Sequence, residues 1–267
     1  MSDNLINIYF NSDEKSMKIK NTLVQRLKDR DFYITDDPSD SASLNICIGG
    51  DGSFLRAVHD SNFSQIPFVG INTGHLGFYQ EILISQIDSF IDNFINKKYK
   101  LTKLSLISAK LFKSGKFKEL FALNEFAIKS DNSRICHLNV YIDEYHLERF
   151  AGDGLIVSTP SGSTAYNFSV GGSVLYQELK GYQLSPIAPI NSKAYRSLTN
   201  SIVMPDNSVL KIVPIKGELN NLEIINDGVL IPLEDTDHIE FNFGLKSINK
   251  LVFNPNWYWI NIKDKFL

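Results

Sequence analysis

The sequence predicts a two-part chain: an N-terminal α/β domain built on a mostly parallel sheet, followed by a C-terminal β-rich domain of stacked sheets. Three observations predict it. Strand-like and helix-like patterns alternate through the first hundred residues, glycine-rich turns follow the C-terminal ends of the strands there, and short strand-length runs separated by turn residues replace that alternation from about Leu101 onward. With 43% hydrophobic and 21% charged residues, 267 residues suffice to bury one or two substantial cores.

Residues 5–10 form an apolar run of strand length. In residues 13–29, Ile19, Leu23 and Leu27 recur at i, i+4 and i+8, with Val24 widening the stripe, so a helix follows. Residues 32–35 return as a strand. The apolar run 44–48 leads directly into Gly49-Gly50-Asp51-Gly52-Ser53, and residues 54–59 begin a helix after it. Residues 67–71 make another buried strand, ending in Asn72-Thr73-Gly74-His75-Leu76-Gly77-Phe78. Ile84, Ile87, Ile91 and Phe94 mark a one-faced helix. The lysine-rich stretch 97–100 reads as a solvated connection. Residues 104–112, 117–123, 138–142, 209–215, 222–225 and 238–243 read as strands, with Asp143-Glu144-Tyr145 as a hairpin connection. The expected domains are 1–100 and 101–244.

Composition excludes several classes. The 27 Lys and Arg stand against 30 Asp and Glu, a net charge of −3, with no long basic block for nucleic acid. No run approaches the roughly 18 apolar residues of a membrane span. Residues 1–10 include Asp3 and only a short apolar stretch, unlike a secretory leader. The two cysteines, Cys47 and Cys136, lack zinc or redox spacing and read as reduced, packed thiols of a cytoplasmic protein.

Consecutive glycines after a buried strand let a ligand approach the backbone and turn N–H groups toward an anion, and the next helix adds its dipole. Gly49 to Ser53 is therefore a phosphate-loop candidate, although neither G-x-x-x-x-G-K-S/T nor G-x-G-x-x-G is present. Asp51 is the anomaly in that loop: a carboxylate among phosphates repels them unless it meets a counter-charge or accepts a proton from an attacking hydroxyl. A second concentration runs from Gly152 to Tyr166, where a strand breaks into the hydroxyl-rich turn Ser158-Thr159-Pro160-Ser161-Gly162-Ser163-Thr164. A third is Asn124-Glu125 at the end of a strand, a pair suited to a ribose diol.

In this order and at these separations, Gly49-Gly50-Asp51-Gly52, Thr73 to Phe78, Asn124-Glu125, Gly152 to Tyr166, Pro186-Ile187-Ala188-Pro189 and Asp227-Gly228 resemble the NAD kinase family. The resemblance spans residues 49–228. It implies an N-terminal Rossmann-like domain on which residues 245–267 pack back, a C-terminal β-sandwich-like domain, and transfer of a phosphoryl group from ATP or polyphosphate to the adenosine 2′-hydroxyl of NAD, in a crevice between the two domains. It further implies Asp51 as the base and Gly49 and Gly50 as donor-phosphate contacts. Gly52, Asn124, Glu125, Asp153, Ser161, Thr164, Ala165, Tyr166, Ser169 and Ala188 are the implied NAD contacts, with Ala188 reaching across a subunit interface. Mg²⁺ is expected to travel with the donor rather than in a protein cage.

The resemblance also implies a homodimer or homotetramer, with residues 183–195 as an intersubunit loop rich in exposed apolar groups and Tyr195 reaching a neighbour's site. Trp257, Tyr258 and Trp259 are expected in core or subunit packing. Ser53 stands where threonine is common, and Ala151 stands where some bacterial members carry arginine, leaving Arg149 or a neighbouring subunit to supply that charge. His75 reads as a structural histidine near the loop. Two rivals remain: a lipid or sugar kinase, which shares the Gly-Gly-Asp-Gly loop but not the run 152–166, and a silent NAD(H)-binding regulator, against which intact Asp51 argues.

Overall fold

The computed structural model describes residues 4–35, 37–74, 77–130, 134–191, 196–215, 222–233 and 235–267. The chain divides into two compact units, residues 1–103 with 248–267, and residues 104–247.

In the first unit, β1 (Leu5–Phe10) is followed by α1 (Glu14–Lys28), β2 (Tyr33–Ile34), β3 (Leu44–Gly49), α2 (Asp51–Asp60), β4 (Phe68–Asn72), β5 (Ile82–Leu83) and α3 (Ile87–Ile95). The strands run parallel in the order β2-β1-β3-β4-β5. All six residues of β3 and all five of β4 are buried, which is why they read as continuous apolar runs rather than alternating ones. Asp13 caps α1, its carboxylate accepting from Ser16 N at 2.9 Å and Ser16 Oγ at 2.7 Å, and the expected stripe Ile19, Leu23, Leu27 is the buried face. That face joins Ile6, Ile46, Val69, Ile71 and Phe90 in one core. α2 begins at Asp51 rather than after Ser53, so Asp51 stands in the first helical turn.

The second unit is mainly β. It contains β6 (Lys100–Lys113, whose first residues belong to the first unit), β7 (Lys116–Ala122), β8 (Glu125–Ser130), β9 (Cys136–Ile142), β10 (Tyr145–Gly152) and β11 (Gly154–Ser158). There follow a 3₁₀ turn at Ser161–Thr164, the short helix α4 (Tyr166–Ser169), β12 (Gly181–Ile187), β13 (Ile202–Pro205), β14 (Leu210–Pro214), β15 (Leu222–Asn226), β16 (Val229–Pro232) and β17 (His238–Val252). β17 carries the chain back into the first unit, where Lys250 pairs with Phe68 and α5 (Trp257–Phe266) ends the chain.

Antiparallel strands in the orders β10-β9-β14-β17 and β13-β12-β11-β8-β15-β16 share one core, with Leu138, Val140, Phe150 and Phe241 from the first set and Phe126, Leu155, Val157 and Ile224 from the second. Phe126 and Phe241 lie 5.7 Å apart by ring centroid. The expected hairpin at Asp143-Glu144 joins β9 to β10, with φ of 49° and 66°, the paired left-handed backbone of a tight two-residue turn.

Several expectations need correction. Gln183, Leu184, Ser185 and Pro186 are buried in β12, a central strand, so the apolar groups read as exposed at the start of the 183–195 segment are core. Asn124-Glu125 does not close a strand: β7 ends at Ala122 and Glu125 opens β8. Tyr258 is buried, whereas Trp259 is 57% exposed. His75, Leu76 and Tyr195 lie outside the described residues.

Candidate functional site

In the parallel sheet the chain leaves β1 toward β2 on one side and reaches β3 on the other, so the strand order reverses between β1 and β3. Ligands of open α/β sheets bind beyond strand C-termini at such a reversal. The Gly49 to Asp51 turn occupies that position at the end of β3, with Asn11 at the end of β1. Asn11 Oδ1 accepts from Ser53 Oγ at 3.1 Å and from Arg56 at 2.9 Å, tying α2 to the neighbouring strand.

The segment after β4 closes over this turn. Thr73 N donates to Gly49 O at 3.2 Å and Gln80 Nε2 to Gly50 O at 2.8 Å. Phe78 N and Tyr79 N each donate to the Asp51 carboxylate at 3.0 Å, and the Tyr79 ring stacks on Phe54 of α2 at 4.7 Å. The two glycine motifs of the first domain are thus one structure. Gly77 is required by this approach, since a Cβ there would overlap Asp51 Oδ1. Gly49 is required by packing, since its Cβ would overlap Ser53. Gly50 and Gly52 differ: among the described residues a Cβ on either meets nothing within 4 Å, so an anion can approach both peptides.

A buried ion pair lies under the same segment. Lys250 Nζ stands 3.7 Å from Glu81 Oε2, each side chain 3% exposed, and Glu81 Oε1 accepts from Phe253 N and Asn254 N. Burial pushes the Glu81 carboxyl up and the Lys250 ammonium down, each opposed by its partner.

In the second unit, Asp227 organises the Asn124-Glu125 pair. Its Oδ2 accepts from Leu123 N at 2.7 Å, and its Oδ1 accepts from Asn124 N at 2.8 Å and Glu125 N at 3.1 Å. Asp227 and Gly228, with φ of 45° and 89°, make the two-residue turn that brings this carboxylate round. The hydroxyl-rich turn packs on the same pair: Thr159 N donates to Asn124 O at 2.9 Å, Thr159 Oγ1 donates to Leu123 O at 2.6 Å, and a Cβ on Gly162 would overlap Asn124 O. Glu125 is buried, its Oε2 has no hydrogen-bond partner among the described residues, and its carboxyl is pushed up to about 8, first by burial and then by Asp227.

Of the other NAD contacts implied by the resemblance, Ser161, Thr164, Ala165 and Tyr166 are half-buried along one continuous turn and Ser169 is exposed at the end of α4. Exposed Asp153 meets the segment carrying Ala188, its N–H donating to Ile187 O at 3.0 Å; Ala188 is itself exposed, with φ of 43°. Lys129, which the sequence did not single out, lies across from Gly154 and places Nζ 3.5 Å from the Tyr166 hydroxyl. Ala151 is buried, and its N–H donates to Ser197 Oγ at 3.1 Å. Among the described residues no group of three His, Cys, Asp or Glu side chains is gathered to hold a metal, and no helix is long and apolar enough to cross a membrane. Cys47 and Cys136 are buried thiols, and Cys136 Sγ donates to Asp153 O at 3.5 Å.

The chain matches known proteins along its length. Models of the ATP-NAD kinase N-terminal and C-terminal domains match residues 1–99 and 123–249. The NAD kinase of Finegoldia magna is 54% identical over 267 residues, covering 98% of each chain, and that of Staphylococcus epidermidis is 32% identical over 259 residues, covering 96% of this chain and 94% of that one. Among solved structures, yeast NADH kinase complexed with NADH superposes with a TM-score of 0.86 at 19% identity, covering 98% of this chain and 87% of that one. An NAD kinase from Archaeoglobus fulgidus in complex with ATP gives 0.75 at 21% identity, covering 97% of each. These two likenesses show a shared fold. With both domain models matched and a relative more than half identical from end to end, the chain belongs to the NAD kinase family.

Proposed function

We propose that this chain phosphorylates NAD to NADP by moving the terminal phosphoryl group of ATP, or of inorganic polyphosphate, to the adenosine 2′-hydroxyl, with Asp51 as the general base. Family membership supports the reaction. The observation that supports the base is the setting of Asp51, a partly exposed carboxylate at the strand-order reversal, fixed by two backbone N–H groups beside peptides open to an anion.

Phosphoryl transfer passes through a loose transition state, so alignment and charge neutralisation supply most of the acceleration. Gly49 and Gly50 are the donor-phosphate contacts that the resemblance implies; Gly49 also lets α2 start close to β3, and Gly52, implied as an NAD contact, presents a peptide open to the donor as well. NAD is held by Gly52, Asn124, Glu125, Asp153, Ser161, Thr164, Ala165, Tyr166, Ser169 and Ala188. Buried Glu125 Oε2, without a hydrogen-bond partner among the described residues, is suited to a sugar hydroxyl. Asp51 then accepts the 2′-proton as the new P–O bond forms. Mg²⁺ bound with the donor would neutralise charge on its phosphate oxygens, and Asp51, which keeps lone pairs beyond the two N–H bonds, is the residue placed to face it.

A cytoplasmic homodimer or homotetramer fits the exposed apolar side chains Phe168, Val174, Tyr176, Leu179 and Leu198 of the second unit. An assay with NAD, ATP and Mg²⁺ tests the function. NADP should form, and Asp51→Asn should lower turnover by roughly 10²- to 10⁴-fold while NAD binding persists. A variant with near-normal turnover removes Asp51 from the mechanism, and no NADP from the native chain removes the function.

A further inference from the structure

The carboxylate in the phosphate loop, read in the sequence as a source of repulsion, has a partner from the far end of the chain. Lys265, in the last turn of α5, places Nζ 3.7 Å from Asp51 Oδ2. The same ammonium lies 4.9 Å from the centroid of the Phe78 ring, and Phe266 stacks on that ring at 6.1 Å. Phe78 is also the residue whose N–H holds Asp51. The end of α5 is therefore seated on the loop that fixes the base.

We propose that Lys265 is the protein's own cation for the phosphoryl donor, neutralising Asp51 in the free enzyme and binding a donor phosphate oxygen when the donor arrives. The inference rests on the donor binding at Gly50 and Gly52, as in the function proposed above. Three features favour Lys265 over the other cations nearby. Its side chain is 32% exposed, so it keeps access to solvent and to an incoming ligand. At 3.7 Å its pairing with Asp51 is looser than a hydrogen bond, leaving its donors free to turn to a stronger anion. Lys250, by contrast, is buried against Glu81, and Arg56 donates to Asn11. A lysine serves phosphate as a point charge, so this role needs position rather than a bidentate fork.

Lys265→Gln removes the charge and keeps most of the stem; Lys265→Met, which keeps the apolar stem over Phe78, is measured beside it, and Lys265→Arg restores a cation. Folding of each is checked by thermal melting. Two probes are titrated calorimetrically in the presence of Mg²⁺: the β,γ-imido analogue of ATP, and inorganic tripolyphosphate. A charge-assisted hydrogen bond to phosphate corresponds to about a 10- to 100-fold change in affinity. Both neutral variants should weaken both probes by that factor, leave NAD affinity within about twofold, and be largely rescued by arginine. Unchanged probe affinity in a folded neutral variant overturns the inference. So does an equal loss in the arginine variant, or a parallel loss of NAD affinity, because either would mean that α5 only shapes the loop. A native chain that binds neither probe overturns it as well. If the native chain binds the probes through Lys265 yet makes no NADP, the proposed function falls and the Lys265 assignment stands.

Discussion

The carboxylate of Asp51 is held at 3.0 Å by the backbone N–H of Phe78, 27 residues further along the chain. With the matching bond from Tyr79 N, this contact makes the orientation of the proposed base depend on the conformation of a second loop.

Gly77 should therefore be as sensitive as the base itself. A methyl group there overlaps Asp51 Oδ1, and a reacting group displaced by about an ångström can lose on the order of 10²-fold in rate. Gly77→Ala should lower kcat by about that factor with little change in the NAD dissociation constant. Gly52→Ala, whose Cβ meets no atom of the described residues within 4 Å, should weaken the donor instead, since it fills space open to the phosphates. Steady-state kinetics with each substrate varied separates the two outcomes.

Glu125 gives the fold a pH signature. Its carboxyl holds its proton to about pH 8 in the folded chain, against 4.5 for the ordinary group. Between those values the folded state binds more protons than the unfolded one, so the stabilising contribution is full below about 4.5 and is lost as pH rises through about 8. Glu125→Gln keeps the size and the neutral form, and should flatten that part of the profile. Urea midpoints taken from pH 5 to 9 would show it, and an unchanged slope in the variant would assign the effect to another group.

The pair Glu81 and Lys250 should be costly to break from one side. Removing one partner of a buried pair leaves the other charge uncompensated, at a typical cost of about 3–5 kcal/mol. Lys250→Met should destabilise the chain by about that amount. The double variant Glu81→Gln with Lys250→Met should recover much of it, which a double-mutant cycle by denaturant melting measures. Additive losses would show that the two side chains are not coupled.

Much of the first unit was legible because its signals are local. Ile19, Leu23 and Leu27 have helical spacing, and strands such as β3 and β4, buried on both faces, are continuous apolar runs between turns. The glycine motifs announced a site, but not that Gly77 exists to admit Asp51, because that contact joins residues 26 apart by tertiary packing. β12 was misread for a related reason: Gln183, Ser185 and Pro186 look like loop residues, yet Gln183 Oε1 accepts from Ser173 N at 3.1 Å and Ser185 Oγ bonds Asn167 Oδ1 at 2.6 Å, which satisfies their polar groups in the interior. α5 was not foreseen because its aromatic cluster has no clean period, and only Tyr258 and Asn261 of its ten residues are buried. Lys265 could not be found without it.

The adenosine 2′-oxygen of NAD is the nucleophile proposed to face Asp51, and the sharpest experiment changes that oxygen rather than the protein. The NAD analogue lacking the 2′-hydroxyl is incubated with the native chain, Mg²⁺ and ATP labelled in its terminal phosphate, and the dinucleotide is then examined for label. The analogue should compete with NAD for binding and remain unlabelled, because a 3′-oxygen displaced from the line of attack should lose on the order of 10²-fold or more in rate. Efficient labelling of the analogue would contradict the account, since another hydroxyl would then be the acceptor.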